Sequence, residues 1–413
     1  MRDFLKAAFD AAISAADADV VLQDYLPTDR SLKVCVIGAG KGAAKMAAAF
    51  ERLWEGPIEG LVITRYGHRV PTNHIEVVEA SHPVPDEAGQ KAAERMMDMV
   101  SPLGEDDLVI ALISGGGSAL MPLPTPSITM AEKQAVNKAL LNCGATIDEI
   151  NCVRKHLSAI KGGRLAKACY PAQVITLSIS DVPGDDPSVI ASGPTVADPT
   201  TLSEAQAILK RYGIEGYSDK LEETVKPDDP CWDKSSYHLI ATPQKSLQAA
   251  ADYAKSQGIE SLILSDRIEG EAREVAKVHA AIVRQIQEHG QPVNAPCLLL
   301  SGGEATVTIK NPKGRGGPNG EFMLSLVDQL RGVENVWALA ADTDGIDGSE
   351  DNAGAWGDST SLTRVEASGI DLHDHMDQNL SYDFFEALGD LFKPGPTLTN
   401  VNDFRAIYVG QKK

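Results

Sequence analysis

Apolar residues follow two different patterns along the chain. From Leu5 to Val20 they recur at the spacing of one helix face, which predicts an amphipathic helix at the amino terminus. Short aliphatic runs then appear without the alternation of a half-exposed strand, and this pattern is typical of parallel strands that helices cover on both faces. In the first half of the chain the predicted strands cover 34–37, 61–64, 108–113 and 174–180.

A polar segment separates this series from a second one. Residues 214–236 contain little periodic apolar sequence, and prolines flank two aspartates within them, so we predict a connection. Just before it, Ser203 and Gln206 form a candidate capping box for a helix that ends at Gly213. The second series predicts strands at 237–241, 261–265, 297–300 and 336–340, a helix from 271 to 289, and a hairpin that joins 298–300 to 306–309.

These elements predict an α/β fold made of two α/β domains. Residues 1–235 would form a Rossmann-like domain around a parallel sheet, and residues 236–413 would form a second α/β domain. We expect the active site in the cleft between the domains, because small-molecule sites commonly lie at domain interfaces.

The acidic composition excludes some classes of function. Lys and Arg number 38 against 58 for Asp and Glu, a net charge of −20, which argues against a nucleic-acid-binding protein. Six cysteines without a C-x-x-C pair indicate reduced, packed thiols. Acidic residues interrupt the amino-terminal segment and no apolar run is long enough to span a bilayer, so neither a secretory signal nor a membrane partner is expected. We therefore expect a cytoplasmic protein, with a homodimer as one option for its assembly.

A glycine turn after the first predicted strand, at 38–43, is a candidate anion site. Backbone amides and the positive end of the following helix dipole face a ligand at such a turn, and Lys41 adds an ammonium that can face a transferred phosphoryl group. The same letters match a dinucleotide fingerprint. The next strand, however, ends at Thr64 and Arg65 and has no acid to bind the ribose hydroxyls of NADH. Only the 2′-phosphate of NADPH could be bound there, by Arg65. An ordinary tight turn with a solvated lysine is the third alternative.

A second glycine turn and a run of cations are candidates for the positive pocket that the overall charge lacks. The turn from Ser114 to Ser118 contains three consecutive glycines, whose backbone can approach a carboxylate or phosphate closely. Residues 151–164 hold five potential cations, of which Arg154 and Lys161 share one side at helical spacing. A bare turn and a solvated helix face are the alternatives. The chain has no Walker-type motif, so any nucleotide is bound by other means.

Acidic turns supply candidate proton acceptors and metal ligands. Asp181 directly follows a predicted strand, at the edge where open α/β sheets bind ligands, and is a candidate base. Residues 342–352 gather carboxylates, but Ile346 breaks the EF-hand pattern, so Mg²⁺ held partly through phosphates is favoured over calcium. The turn at 314–321 carries Arg315, which could neutralise charge in a transition state or belong to a flexible hairpin.

Taken together, motifs along nearly the whole chain resemble the class II glycerate 2-kinase family, which combines a Rossmann-like domain with a MOFRL domain. Eight motifs in one order are far more specific than a single glycine turn. The motifs are GAGKGAAKM at 38–46, SHPVPD at 81–86, SGGGSAL at 114–120, RKHLSAIKGGRLA at 154–166, SDVPGDDPSVIASGPT at 180–195, SGGEATV at 301–307, ADTDGIDG at 341–348 and GPTLTNVND at 395–403.

The resemblance implies ATP-dependent phosphorylation of D-glycerate at its 2-hydroxyl, with a divalent metal such as Mg²⁺. The family's catalytic lysine corresponds to Lys41. Its catalytic arginine belongs to a G-G-R-N-x-E loop where this chain has Pro318, so we expect Arg315, Arg154 or Arg164 in that role. The other expected roles are substrate binding at Gly40, Ser114, Gly115, Gly116, Gly117, Ser118, Arg154 and Lys161, nucleotide binding at Gly302, Gly303, Glu304, Asn400, Asn402 and Asp403, metal binding at Asp344 and Asp347, and proton transfer at Asp181.

Two other functions stay open on the sequence. Gly38, Gly40, Ala43 and Arg65 would suit an NADPH-dependent reductase, and members of the family have been labelled hydroxypyruvate reductases. The non-enzymatic alternative is a two-domain sensor that binds a sugar acid without turnover, although the sequence shows neither a basic DNA-binding helix nor an interaction tail. Turnover with ATP or with NADPH separates the three.

Overall fold

Two β-sheets, each packed with helices, organise the chain in this computed structural model, which describes residues 1–412. The two helix-covered sheets confirm the predicted α/β fold. The six-stranded unit comprises Ala18–Ser180 and Asp185–Ile240, and the seven-stranded unit comprises Met1–Asp17, Asp181–Gly184 and the described residues from Ala241 onward.

The strands of the six-stranded sheet are β1 (Val34–Ala39), β2 (Ile58–Arg65), β3 (Ile75–Ala80), β4 (Leu108–Ile113), β5 (Gln173–Ile179) and β6 (Ser235–Ala241). Their order in the sheet is β3-β2-β1-β4-β5-β6, and the first five pair in parallel. This is the Rossmann order, in which the direction of winding reverses between β1 and β4. Both of these strands are buried along their whole length, as expected where helices cover both faces of a sheet.

The helices of this unit are α2 (Ala18–Val21), α3 (Ala43–Leu53), α4 (Glu87–Val100), α5 (Gly117–Leu120), α6 (Met130–Asn142), α7 (Ile147–His156), α8 (Arg164–Cys169) and α9 (Leu202–Arg211). Three of them, α6, α7 and α9, begin at a threonine in a reciprocal capping box. The box of α9 joins Thr201 to Glu204, so the predicted box at Ser203 and Gln206 is wrong. Short 3₁₀ turns cover Leu22–Tyr25, Ile190–Ser192, Ser218–Lys220 and Pro230–Lys234.

The seven-stranded sheet contains β7 (Glu260–Ile263), β8 (Ile268–Glu271), β9 (Cys297–Thr306), β10 (Val336–Asp342), β11 (Gly354–Asp358), β12 (Leu391–Phe392) and β13 (Asp403–Val409). Its main order is β12-β11-β10-β13-β9-β7, and β8 also pairs with β9. The sheet is mixed, because β7 and β8 run parallel to β9 while the other pairs are antiparallel.

Helices cover both faces of this second sheet. They are α1 (Arg2–Ser14), α10 (Pro243–Ser256), α11 (Ala272–His289), α12 (Pro318–Gln329), α13 (Ser361–Ser368), α14 (Leu372–Asp377) and α15 (Ser381–Leu388). Alternate residues of β9 point to opposite faces, so Leu299 joins the core beneath α11 and α12, while Leu298 and Leu300 join the core beneath α1 and α10.

Strand β9 is continuous, which corrects the hairpin predicted between 298–300 and 306–309. Residues 301–303 stay in the sheet and pair with β13, and Gly303 also pairs with β8. Gly303 allows this close approach because its φ is +122° and a Cβ there would lie 2.2 Å from the carbonyl oxygen of Ile268. The glycines therefore bring strands together instead of forming a turn.

Two elements lie in a different unit from the one that the sequence suggested. Helix α1 falls within the range predicted for the first domain, yet Leu5, Phe9 and Ala12 are buried in the core of the seven-stranded unit. Strand β6 was expected to start the second series, yet it joins the six-stranded sheet. An apolar face shows that an element is buried but not against which sheet, so local pattern could not decide either placement.

Within residues 1–412, no helix combines the length and the apolar character needed to cross a membrane.

Replacing Phe9 by alanine is expected to destabilise the seven-stranded unit. Phe9 is 1% exposed, and its ring meets those of Phe392 and Phe404 edge-on at centroid distances of 5.1 and 5.5 Å. Phe9→Ala should lower the free energy of unfolding by about 3–5 kcal/mol, because it leaves a cavity in this core. Urea denaturation measures the change. Val278→Ala, at a site 59% exposed on α11, should cost less than about 0.5 kcal/mol, and equal losses would contradict the packing described here.

Candidate functional site

Two glycine turns meet at the carboxyl ends of β1 and β4. These strands pair in parallel with their last residues opposite each other, so the turns that follow them begin side by side. The amide of Lys41 donates to the carbonyl of Gly115 at 2.8 Å, and the amide of Gly42 donates to Oγ of Ser114 at 2.9 Å. The structure thus brings together the two predicted anion loops, at the point where the strand order reverses and where open α/β sheets bind ligands.

Gly40 permits the close approach of these turns. Its φ is +147°, and a Cβ there would lie 2.1 Å from Oγ of Ser114. Ser114 is fully buried, and its hydroxyl oxygen accepts the amide hydrogen that joins the two turns. Gly40 and Ser114, both predicted as substrate contacts, therefore hold the backbone of the site in place from within the fold.

Lys41 and His82 flank the second turn. Gly116 has a φ of +80°, and a Cβ there would lie 3.1 Å from the imidazole of His82 and 3.3 Å from Cγ of Lys41. The half-buried lysine, the imidazole and the bare backbone of Gly116 therefore lie together. Sequence reasoning had assigned no role to His82.

Ser118 and Ser192 place two hydroxyl groups beside this turn, with their Oγ atoms 2.7 Å apart. The backbone here is unusual, because Ala191 and Ser192 have φ values of 52° and 61°. Non-glycine residues rarely adopt this region, and such strain clusters at functional sites. The amide of Gly162 donates to the carbonyl of Ser192 at 3.1 Å and helps to hold the conformation. Gly117 packs closely against the same segment, since a Cβ there would lie 2.8 Å from that of Ala191.

A cavity of about 250 Å³ opens next to Gly116 and Ser118, wholly within the six-stranded unit. Most of its wall is apolar and a few polar groups converge on it, which is typical of a small-molecule pocket. The lining residues are His82, Pro83, Pro85, Gly116, Ser118, Ala119, Pro122, Met130, Lys133, Gln134, Val136, Asn137, Leu140, Ile150, Val153, Arg154, Leu157 and Lys161.

Three cationic side chains line this cavity. Arg154, in the last turn of α7, donates to the side-chain oxygens of two asparagines at 2.9 and 3.1 Å. Lys161 is buried, and its Nζ donates to the carbonyls of Ser118 at 2.9 Å and Met121 at 3.3 Å. Nζ of Lys133, on α6, is buried without a hydrogen-bond partner among the described residues. The cavity is therefore electropositive.

Burial lowers the pKa of all three cations. The pKa of Lys161 falls from 10.5 to about 7, first because of burial and then because of the charge of Arg154. Burial, followed by the charges of Lys161 and Arg154, holds the pKa of Lys133 well below its ordinary value. Burial alone lowers the pKa of Arg154. An anion bound in the cavity would favour the charged forms and reverse these shifts.

The other cations of segment 151–164 act inside the fold. Lys155 is buried and forms an ion pair with Asp198 at 2.7 Å. His156 contacts a backbone carbonyl through Nδ1 at 2.8 Å, and Arg164 donates to backbone carbonyls. Of the five cations, Arg154 and Lys161 line the cavity, as the sequence suggested, but α7 ends at His156, so Lys161 lies beyond the helix on which that prediction relied.

In the seven-stranded unit, Asp347 caps the first turn of α12. Its Oδ1 accepts the amide hydrogen of Asn319 at 2.9 Å and its Oδ2 accepts that of Gly320 at 2.8 Å. The side chain of Asn319 donates to Asp403 at 2.6 Å, and Asp403 also pairs with the buried Arg405. Burial, and then the nearby charge of Asp403, raise the pKa of Asp347 to about 7. Asp347 and Asp403 therefore stabilise the start of α12.

A magnesium ion would find few protein ligands here. Within residues 1–412, no group of three or more His, Cys, Asp or Glu side chains could hold a metal ion. Asp347, one predicted ligand, already accepts two amide hydrogens. Asp344, the other, is buried, and its Oδ1 accepts the amide hydrogen of Ile346 at 2.9 Å. Mg²⁺ fits only with most of its ligands supplied by phosphates and water, as it commonly has.

Arg315 anchors the loop before α12. Its guanidinium lies 3.0 Å from Glu350 and 2.9 Å from Asp383, and it stacks over the ring of Tyr382 at 4.1 Å. The hydrogen bond to Glu350 is the main cause of its raised pKa. Two carboxylates therefore compensate this charge, and the role of Arg315 in neutralising a phosphoryl group stays a prediction. Pro318, where the resembling loop has arginine, is the first residue of α12, a position that suits proline.

Asp181 and Asn400 contact each other in the seven-stranded unit, where Nδ2 of Asn400 donates to Oδ2 of Asp181 at 3.0 Å. Asn402 has a φ of 64°, and its buried Nδ2 has no hydrogen-bond partner among residues 1–412. Residues 302–304 lie in β9, with the two glycines buried in the sheet and the glutamate exposed. Of the predicted nucleotide contacts, Asn402 thus offers a buried amide donor.

Sequence reasoning missed Lys133, Asn137 and Ser192. Lys133 and Asn137 lie one turn apart on α6 and both line the cavity, the second by holding Arg154 at 2.9 Å. Their spacing was an available signal, because residues four apart share a helix face. Ser192 had no local signal, since its partner is 74 residues away in the chain.

Comparison with known proteins matches the chain to two family models and to glycerate kinases. Residues 4–226 match the family described as a domain of unknown function, DUF4147, and residues 297–403 match the MOFRL family. A D-glycerate 2-kinase of Thermotoga maritima is 39% identical over 95% of this chain and 94% of its own length. A crystal structure of glycerate kinase from the same organism has a TM-score of 0.91 at 38% identity, covering 98% of this chain and 99% of that one. A protein of Agrobacterium vitis that carries the provisional name of a hydroxypyruvate reductase is 52% identical over 99% of this chain and 94% of its own length.

Gly40→Ala is expected to destabilise the six-stranded unit more than Gly67→Ala. Both glycines have positive φ, +147° and +79°, so either alanine costs about 1 kcal/mol in backbone strain. Only at position 40 does the new Cβ collide with Ser114, whereas nothing lies within 4 Å at position 67. Such a collision costs a further ~1–3 kcal/mol, which urea denaturation will show as the difference between the variants. Equal losses would mean that the turns do not meet as described.

Proposed function

The chain belongs to the glycerate kinase family, and we propose that it transfers the γ-phosphoryl group of ATP to the 2-hydroxyl of D-glycerate. The observation that carries this proposal is the turn bearing Lys41, which lies against Gly116 at the edge of a cavity lined by three cations. A small carboxylic acid suits that cavity by charge. The product is 2-phospho-D-glycerate.

We assign the acceptor to the six-stranded unit. The amide of Gly116 and the hydroxyl of Ser118 offer hydrogen-bond donors to its oxygens, while the amide of Gly117 already donates to the carbonyl of Ser114 at 3.3 Å. Arg154 and Lys161 add positive charge in the adjacent cavity. The carbonyl of Gly115 already accepts the amide hydrogen of Lys41 and supports the turn.

Lys41 is the catalytic residue of this proposal. Phosphoryl transfer depends mainly on the alignment of the reactants and on neutralising the charge that spreads over the equatorial oxygens. The stem of Lys41 lies beside Gly116, so the lysine is next to the assigned acceptor position. Its ammonium would neutralise the transferred group while the acceptor hydroxyl attacks it.

We assign the nucleotide to the seven-stranded unit. The buried amide of Asn402 and the neighbouring Asn400 offer polar groups for phosphate oxygens. Asp344 would hold Mg²⁺ together with those phosphates, and the ion would neutralise part of their charge. Asp181, which Asn400 holds by a hydrogen bond, is the proposed acceptor of the proton that leaves the hydroxyl.

The thiols support a cytoplasmic location for this reaction. All six cysteines are free, and five of them are buried. Reduced thiols are typical of proteins in reducing compartments, so we place the enzyme in the cytoplasm.

A hydroxypyruvate reductase is the second candidate function, because a relative 52% identical to this chain carries that provisional name. The six-stranded sheet also has the strand order of dinucleotide-binding folds. Strand β2, however, ends at Thr64 and Arg65, and neither residue supplies the carboxylate that binds the ribose hydroxyls of NADH. This observation argues against NADH as the cofactor, whereas Arg65 would suit the 2′-phosphate of NADPH, so the reductase is tested with NADPH.

Identifying the product tests the two functions against each other. The purified protein is incubated with D-glycerate, ATP and Mg²⁺, and the product is examined by ³¹P NMR; a separate reaction contains hydroxypyruvate and NADPH. We expect ADP together with the 2-phosphate, and no oxidation of NADPH. Oxidation of NADPH without ADP formation would replace the kinase by the reductase. Binding of glycerate without any turnover would indicate a sensor.

Lys41→Ala is expected to lower kcat by about 10²–10³-fold, because one charge that stabilises the transition state is lost. Thermal unfolding should change little, since a turn lysine contributes little packing. Lys33→Ala is the matched control: Lys33 precedes the same strand, its side chain is 61% exposed and it pairs with Glu59 at the surface. Coupled assays of ADP release measure both variants. Wild-type kcat in Lys41→Ala would remove Lys41 from the mechanism.

A further inference from the structure

The cavity beside Gly116 contains positive charge that no carboxylate in its wall compensates. Lys133, Arg154 and Lys161 line it, and none of its lining residues is Asp or Glu. The partners of Arg154 and Lys161 are neutral amide and carbonyl oxygens. The stem of Lys133 is partly exposed, but its Nζ is buried and makes no hydrogen bond to any residue of the described chain.

Another buried cation of the same unit has a counter-ion. Lys155 and its partner Asp198 are both buried, and their charged atoms lie 2.7 Å apart. A buried ammonium without a counter-ion destabilises the fold, because burial removes its hydration. Such a cost is commonly retained at functional sites, where a bound ligand offsets it. Three uncompensated cations around one cavity therefore indicate an anionic ligand.

We propose that this cavity binds the carboxylate of the acceptor and that Lys133 selects a carboxylic acid over an uncharged alcohol of the same size. The inference rests on the proposed glycerate kinase function and names the group that every acceptor must carry. Arg154 and Lys161 contribute from α7 and the residues after it, and Lys133 contributes from α6. Lys133 is thus a specificity-determining residue of the acceptor site.

Carboxylate binding at this position is coupled to proton uptake. The charged groups that act on Lys133 are Lys161, Arg154 and Arg164, and the cavity wall adds the titratable His82. Burial and these cations lower the pKa of Lys133 and bring that of Lys161 to about 7, so the empty cavity binds fewer protons at pH 8 than two ordinary lysines would. A bound carboxylate favours their protonated forms. Affinity for glycerate therefore falls as the pH rises above about 7.

Calorimetric titration of D-glycerate into the full-length protein, without nucleotide, tests the role of Lys133. Lys133→Met removes the charge and keeps an unbranched stem, and it should weaken binding about 10- to 100-fold. Lys138→Met, which removes an exposed charge from the same helix, should leave binding unchanged. Lys133→Arg restores a cation and should recover most of the affinity. Glycerol, which lacks the carboxylate, should show no measurable binding to any of these proteins.

The same titrations, repeated at pH 8 in two buffers of different ionisation enthalpy, count the protons taken up. We expect uptake with the wild type and less uptake with Lys133→Met. The melting temperature of Lys133→Met should equal or exceed that of the wild type, because a buried amine without a hydrogen-bond partner has been removed. Unchanged glycerate affinity together with unchanged proton uptake in Lys133→Met would overturn the proposal.

Steady-state kinetics separate this inference from the function on which it rests. Lys133→Met should raise the KM for glycerate and leave the KM for ATP unchanged. If the variant forms the 2-phosphate with the wild-type KM for glycerate, the kinase stands and the role of Lys133 is wrong. If the wild type binds glycerate through Lys133 but forms no phosphorylated product, the carboxylate site stands and the kinase is wrong.

Discussion

The parallel pairing of β1 with β4 is the constraint on which the candidate site depends. Both strands are buried at every position, so neither can slide without moving apolar residues out of the core. Because their last residues lie opposite each other, the turns that follow must pack together. Lys41, Gly115 and Ser114 then form the hydrogen bonds that join the turns, and Gly40 is needed because no side chain fits between them. The strand register thus places the lysine beside the cavity.

The cationic side chains in its wall make that cavity electropositive. The chain has a net charge of −20, yet the wall of this one cavity holds three cations and no acid. The cations next to them in sequence behave differently, since Lys155 pairs with Asp198 and Arg164 donates to backbone carbonyls. A segment rich in positive charge is therefore divided between groups that contact the surrounding fold and groups that line the cavity without a carboxylate partner.

In the seven-stranded unit, the same types of residue serve as helix caps or ion-pair partners and as candidate metal or phosphate ligands. Asp347 stands in a turn with carboxylates at a spacing that suggested a metal site, but it caps α12 through the amides of Asn319 and Gly320. A helix cap and a metal ligand both need an oxygen acceptor in a glycine-rich turn, so composition does not separate them. Arg315 is similar, because a guanidinium in a flexible-looking loop is held by two carboxylates from other segments.

The sequence by itself determined the α/β class, the positions of most strands, the two glycine turns with Lys41 in the first, and the cationic segment that contains Arg154 and Lys161. These features were readable because apolar periodicity, glycine placement and helical spacing are local properties of the chain. The tertiary structure alone decided that α1 joins the seven-stranded unit, that residues 301–303 are strand and that Lys133 completes the cavity. Each of those outcomes depends on contacts between residues far apart in the chain, and on the burial that such contacts create, which no local pattern encodes.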